Sequence, residues 1–156
     1  MFVRYYFELD LPFDQIERAL LDSPRDWVPG LADEAQARGE LLLAEVGFGR
    51  SGYRLGKRVE IVLGEAMQFP SKTVLPMSWR PVGGETLFPS LDADIEVAAL
   101  GPNRTHLSIS ARYQPPLGVM GRVIDSALLH RVAEATLKDF LDRAGQAMRA
   151  RLPALT

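Results

Sequence analysis

Apolar residues recur along this chain at every second position, then at helical spacing, then at every second position again. Val3, Tyr5, Phe7, Leu9 and Leu11 alternate with Arg4, Tyr6, Glu8 and Asp10, which predicts a strand with one covered face. In the following "PFDQIERALLD", Pro12 and Asp14 mark a helix start, and Ile16, Ala19 and Leu20 form its apolar side. "DWVPGLADEAQ", which carries Trp27, reads as a second short helical or irregular segment. From residue 40 the period returns to two in "ELLLAEVGF", "KRVEIVLGEAM", "KTVLPMSWRP", "LDADIEVAAL" and "RTHLSISARY", separated by turn-forming "GRSG", "VGGE" and "GPN". These runs predict an antiparallel meander, in which Pro76 puts its strand at an edge or at a bulge.

The last element, from about Leu117 to Leu152, is a single long helix. Val119, Val123, Ser126, His130, Ala133, Leu137, Leu141, Ala144 and Met148 recur at alternating steps of three and four. At 1.5 Å per residue it spans roughly 45 to 50 Å. No repeat, linker or low-complexity stretch divides the chain, so residues 1–156 are expected to form a single domain.

Placing each strand's apolar register inward gives a dry face that includes Leu42, Ala44, Val46 and Phe48; Val59, Ile61 and Leu63; and Leu75, Met77 and Trp79. It continues through Leu91, Ala93, Ile95, Val97 and Ala99, and then Leu107, Ile109, Ala111 and Tyr113. The opposite registers hold Arg58, Glu60, Asp92, Asp94, Glu96, Arg104, His106, Ser108, Ser110 and Arg112. A sheet with one dry face needs one cover, and the long helix has the apolar stripe to supply it. The expected fold class is therefore α+β: a curved antiparallel sheet of six to seven strands around one C-terminal helix, with two short helices after the first strand.

That element order, with "DWVPGL" after the first helix and "YQPPLGVMG" opening the last, resembles the START-like superfamily. This is the helix-grip fold of the polyketide cyclase/dehydrase, birch-pollen-allergen and lipid-transfer proteins. The resemblance covers nearly the whole chain, and "LFPSLDADIEV" and "YQPPLG" are similar to bacterial members. It implies a hydrophobic cavity between sheet and helix and a hydrophobic small-molecule or lipid ligand. It implies no single reaction, and no shared catalytic motif can be carried over.

Composition narrows the picture. A chain of 156 residues can bury roughly 70% of the surface it exposes when unfolded, enough for a core with a cavity in it. The 18 basic and 20 acidic residues are interspersed and give a net charge of −2, which argues against nucleic acid or an anionic membrane as main partner. The absence of cysteine excludes disulfides, a thiolate zinc site and a cysteine nucleophile. With His106 and His130 alone, a histidine-rich metal centre is not expected, and no cofactor is implied. "MFVRYYFELDL" lacks the apolar core of a signal peptide and no segment reaches about 18 apolar residues, so a soluble cytoplasmic protein without integral membrane association is expected.

The ligand-binding candidates are Trp27, Glu65, Met77, Trp79, Tyr113, Ser126 and His130. Glu65 continues the inward register of Val59, Ile61 and Leu63, which would bring a carboxylate into the apolar interior and raise its pKa. A bulge at Gly64 would instead turn it outward. Ser126, His130 and Glu134 stand four residues apart along the helix. One straight helix offers no strained nucleophile turn and there is no G-x-S-x-G, so Ser126 and His130 read as polar handles in a cavity wall or satisfied side chains at its rim. Trp27, Trp79 and Tyr113 suit an amphiphilic ligand and an ordinary core equally, whereas Tyr5 reads rather as core packing. His106, Ser108, Ser110 and Arg112 read as a solvated row with cross-strand ion pairs. "GFGRSG" joins two strands and opens no helix, which weakens it as a phosphate loop.

Three functions follow. The first is binding of a hydrophobic or amphiphilic molecule, such as a lipid, polyketide or isoprenoid-like compound, between sheet and helix. The second is a cyclase/aromatase-type enzyme with Glu65 or His130 as its acid/base. The third concerns Met120, Ile124, Leu128, Leu129 and Val132, whose excess of apolar surface fits either the short helices or a homodimer contact. Pro115 and Pro116, with Gly118 and Gly121, read as a structural hinge where the last strand hands over to the helix.

Overall fold

The computed structural model describes residues 2–22, 27, 42–50, 53–81, 90–114 and 126–151; in β2, at the start of β3 and α2, and at the last residue of β5 and α2, it describes the backbone alone. The elements are β1 (Phe2–Leu9), α1 (Phe13–Asp22), β2 (Leu42–Arg50), β3 (Tyr53–Leu63), β4 (Met67–Phe69), β5 (Lys72–Pro81), β6 (Ser90–Gly101), β7 (Arg104–Gln114) and α2 (Ser126–Arg151). The seven strands form one antiparallel sheet in the order β1-β7-β6-β5-β3-β2, with β4 paired to β5. The second short helix falls outside the described residues apart from Trp27. Pro115, Pro116, Gly118 and Gly121 and the helix before Ser126 also lie outside them.

Period-two alternation is realised as two faces. Val59, Ile61, Leu75, Met77, Trp79, Leu91, Ile95, Val97, Leu107 and Ile109 are buried, while Asp92, Asp94, Arg112 and Arg4 point the other way and are exposed. The outer face carries the cross-strand pairs Lys72–Glu96 (3.6 Å) and Arg104–Glu8, and Tyr6 stacks on His106 with ring centroids 5.1 Å apart. Two positions depart from the expected faces. Ser108 belongs to the outer register yet is buried, because its cross-strand neighbours Tyr6 and Glu96 carry long side chains over it. Ala99, expected inside, is exposed: it is still in register with the buried Thr105 but stands at the end of the ladder, just before the β6–β7 register shifts towards Gly101.

Pro76 sits in an interior strand, and the irregularity lies on its partner. Leu63 opposes Met77 and Met67 opposes Val74, so the three residues Gly64, Glu65 and Ala66 stand opposite the two residues Leu75 and Pro76. This is a bulge, anchored by the Gly64 N–H donating to the Pro76 carbonyl at 2.7 Å. A Cβ on Gly64 would lie 2.9 Å from the Pro76 Cβ, so the bulge requires glycine there.

α2 lies across the concave face and touches both outermost strands, β1 and β2. Its buried positions, Val132, Ala133, Thr136, Leu137, Phe140, Leu141, Ala144 and Met148, form a broader stripe than steps of three and four alone predict. Phe140 is its centre: its ring meets Trp79 at 5.2 Å and Trp27 at 6.3 Å, both edge-on. The Trp27 Nε1–H donates to the Leu20 carbonyl at 3.0 Å, tying this cluster to the end of α1. Of the apolar excess read on the helix, Val132 is buried within this chain. Met120 and Ile124 lie outside the described residues, as do the side chains of Leu128 and Leu129.

Two stability predictions follow from this packing. Phe140→Ala should lower the unfolding free energy by about 3 to 5 kcal/mol in urea denaturation, the cost of an aromatic cavity. Gly145 packs directly beneath the Phe7 ring, where a Cβ would clash. Gly145→Ala gains up to about 1 kcal/mol of helix propensity but loses about 1 to 3 kcal/mol by overpacking, so it should destabilise. Adding Phe7→Leu to it should restore stability.

Candidate functional site

Four inward residues stand side by side across the sheet: Tyr113 opposes Leu91, Leu91 opposes Trp79, and Trp79 opposes Ile61. All four are buried, and Met77 holds the next inward position on β5. Each strand contributes one apolar side chain to the row because alternation aligns across an antiparallel register. Tyr113 ends the row, near the end of β7.

There α2 supplies a polar partner. The Tyr113 hydroxyl lies 3.1 Å from His130 Nδ1, and His130 Nε2 lies 3.2 Å from Glu134 Oε1 one helical turn further on. In the neutral ring, Nε2 facing a carboxylate carries the proton, so Nδ1 accepts from the tyrosine hydroxyl. Burial, and after it the charge of Glu134, push the Tyr113 phenol above its ordinary pKa. Tyr113 is thus a neutral hydrogen-bond donor, backed by an imidazole that a carboxylate orients. His130 and Glu134 are partly exposed, so the chain leads from a buried phenol to the surface.

The structure brings Tyr113 and His130 into direct contact and places Trp79 in the same row. Trp27 and Met77 are buried in the core, and the indole N–H of Trp27 is used by α1. Ser126 is the first described residue of α2, and its side chain lies outside the described residues. Glu65 is exposed. Of its two readings the bulge is the one observed: one extra residue after Leu63 breaks the inward register, and no carboxylate enters the interior at this point. Sequence reasoning missed Phe140, although its place in the stripe of Ala133, Leu137 and Leu141 marks it. It also missed the hydrogen bond from the Tyr5 hydroxyl to Asp142 Oδ1 (2.8 Å), for which no sequence signal exists. A hollow of about 480 Å³ lies on the outer face, lined by residues such as Phe2, Val62, Asp92 and Arg112, and is separate from the Tyr113–His130 pair. Among the described residues, no three His, Asp or Glu side chains gather as a metal site, and no helix is long and apolar enough to cross a membrane.

No family model matches the chain, and neither does any curated protein. Solved structures do match. A conserved protein from Geobacillus kaustophilus is 15% identical over 96% of each chain, with a TM-score of 0.60. A START superfamily protein from Mycobacterium smegmatis is 15% identical over 99% of each chain, at 0.52. The fold is the START-like helix grip. Ara h 8.0201 shares it, with 11% identity over 96% of this chain and 95% of that one and a TM-score of 0.53. Within this helix grip, the Tyr113–His130 contact joins the last strand of the sheet to the helix it grips.

A second contact of that kind yields a pH prediction. Burial, followed by the Asp142 hydrogen bond and charge, pushes the Tyr5 phenol up to about 12. The folded state therefore holds this proton more tightly than the unfolded chain. The resulting stability is complete below about pH 10 and is lost as the pH rises through 12. Tyr5→Phe should cost about 1 kcal/mol at neutral pH, and the difference from wild type should shrink above pH 10 in pH-dependent denaturation.

Proposed function

We propose that this protein binds a hydrophobic or amphiphilic small molecule, of the lipid, polyketide or isoprenoid-like kind, between the sheet and α2. The observation that carries this reading is the Tyr113–His130 hydrogen bond at the end of an apolar row. A wall of this composition captures an apolar body by burial, and the Tyr113 oxygen accepts from a single ligand hydroxyl at its polar end. At about 25 cal/mol per Å², burying 200 Å² of apolar ligand surface contributes about 5 kcal/mol. The START-like fold supports the reading, since the resemblance in sequence attaches a hydrophobic ligand to this architecture. Trp79 and Met77 would form the wall, Tyr113 and His130 would fix orientation, and Ser126, one turn before His130, would extend the polar end. Trp27 would support the wall from behind. Glu65 has no part in it.

The same chain of contacts favours a second reading, a polyketide cyclase/aromatase-type enzyme. Turned from the imidazole to a substrate, the phenolic O–H can deliver its proton to a developing alkoxide or enolate, and the phenolate left behind would take a proton from a protonated His130 ring whose charge Glu134 balances. Glu65 is not available for that role, so the acid/base work would rest on Tyr113 and His130.

Native mass spectrometry of protein from two expression hosts, together with displacement of a bound apolar dye, tests the first reading. A copurifying amphiphile that displaces the dye is expected. Tyr113→Phe should weaken a hydroxyl-bearing ligand, which donates to the Tyr113 oxygen, roughly tenfold while leaving the dye's affinity intact. Neither copurified ligand nor dye binding in wild-type protein would overturn it. Turnover of a polyketide-like chain abolished by Tyr113→Phe would favour the second reading.

A further inference from the structure

A groove between the edge strand β1 and α2 carries chemistry that the Tyr113–His130 pair does not use. Its volume is about 390 Å³, and it is lined by Arg4 from β1 and by Arg131, Glu134 and Lys138 from α2, over Val3 and Ala135. Residues 131, 134, 135 and 138 share one side of the helix by spacing, and Arg4, an outer-register residue of the edge strand, borders the groove opposite them. Three cationic residues and one acidic residue line the same hollow.

The carboxylate is already engaged: Glu134 lies 3.2 Å from His130 Nε2. Lys138 reaches Asp142 only at 4.0 Å, and that carboxylate also accepts the Tyr5 hydroxyl. Arg4 and Arg131 make no ion pair among the described residues. Two arginines from separate elements, neither ion-paired with another described residue, therefore border one concavity, a combination suited to a planar or tetrahedral oxyanion.

The geometry points to this groove as a binding site for the phosphate or carboxylate group of a small molecule, held by Arg4 and Arg131 with Lys138 adding charge. Glu134 opposes it, being the one carboxylate in the wall. Because Glu134 also orients His130, the groove and the interior pair share a residue, and anion occupancy is felt at the imidazole.

Isothermal titration of the full chain with inorganic phosphate and with succinate, at matched ionic strength in chloride, tests the site. Binding is expected for the wild type, weakened at least tenfold by Arg4→Ala and by Arg131→Ala, and strengthened several-fold by Glu134→Gln, with circular dichroism confirming that each variant is folded. Vesicles of phosphatidylcholine with and without phosphatidylglycerol identify the source of the anion. Arginine-dependent binding to the anionic vesicles as well as to phosphate assigns a lipid headgroup, and binding to phosphate or succinate alone assigns a free small molecule. No binding of either anion, or binding unchanged in both arginine variants, overturns the proposal, as does vesicle binding without phosphate binding.

Discussion

The structure depends on one sheet face having to be dry. Strands β1, β3, β5, β6 and β7, with inward Val, Ile, Leu, Met and Trp side chains, present an apolar surface that water cannot be allowed to reach, and among the described elements one long helix covers it. Phe140 is where that requirement is met. Its ring sits against Trp79 of the sheet and Trp27 beyond α1, so a single side chain ties the sheet, the long helix and the end of the short helix together. The curl that lets β1 and β2 both touch α2 follows from the same need, since a flat sheet would leave its edge strands uncovered.

The interior this produces is apolar with hydroxyl groups set into it. Its buried polar side chains among the described residues are Thr73, Thr105, Ser108 and Thr136, to which the Tyr113 phenol adds one more hydroxyl. Thr105 donates to the Leu11 carbonyl at 2.6 Å, Thr136 to the Val132 carbonyl at 2.6 Å, and Thr73 to Glu17. Charge stays at the margins, where α2 meets the sheet edge and where β7 ends. Both candidate binding regions lie on these margins, because there a polar group can be aimed without the cost of full desolvation.

Much of this was legible in the sequence because period-two alternation reports burial strand by strand without knowledge of partners. Val59, Ile61, Leu75, Met77, Trp79, Leu91 and Ile109 all face inward as their spacing requires. What alternation cannot report is a change of phase. The bulge at Gly64 to Ala66 is invisible to it, and with the bulge goes the inward reading of Glu65; nor does it report where cover ends, as at the exposed Ala99 near the end of β6. Nor does it report shading, which is how Ser108 becomes buried under Tyr6 and Glu96. The site divides similarly. Tyr113 and His130 were each legible as amphipathic residues at suitable positions, and their separation of 17 positions gave no hint that they touch. Phe140 was legible in principle from helical spacing, whereas the Tyr5–Asp142 bond spans 137 positions and depends wholly on how the helix is seated.

That seating has an index mark. Tyr5 and Phe7, successive inward residues of β1, meet Asp142 and Gly145, which are three residues apart on α2, so strand and helix run alongside in the same sense. The bare backbone at Gly145 is a notch and the Phe7 ring is the pawl that drops into it. Sliding the helix by one turn, about 5.4 Å, would drive the ring onto a side chain in place of hydrogen, and rotating it would tear Tyr5 from Asp142. The C-terminal half of the helix is in this sense latched to the sheet. A widening of the interior that leaves this latch closed would open away from it, towards the end of the helix where Tyr113 meets His130.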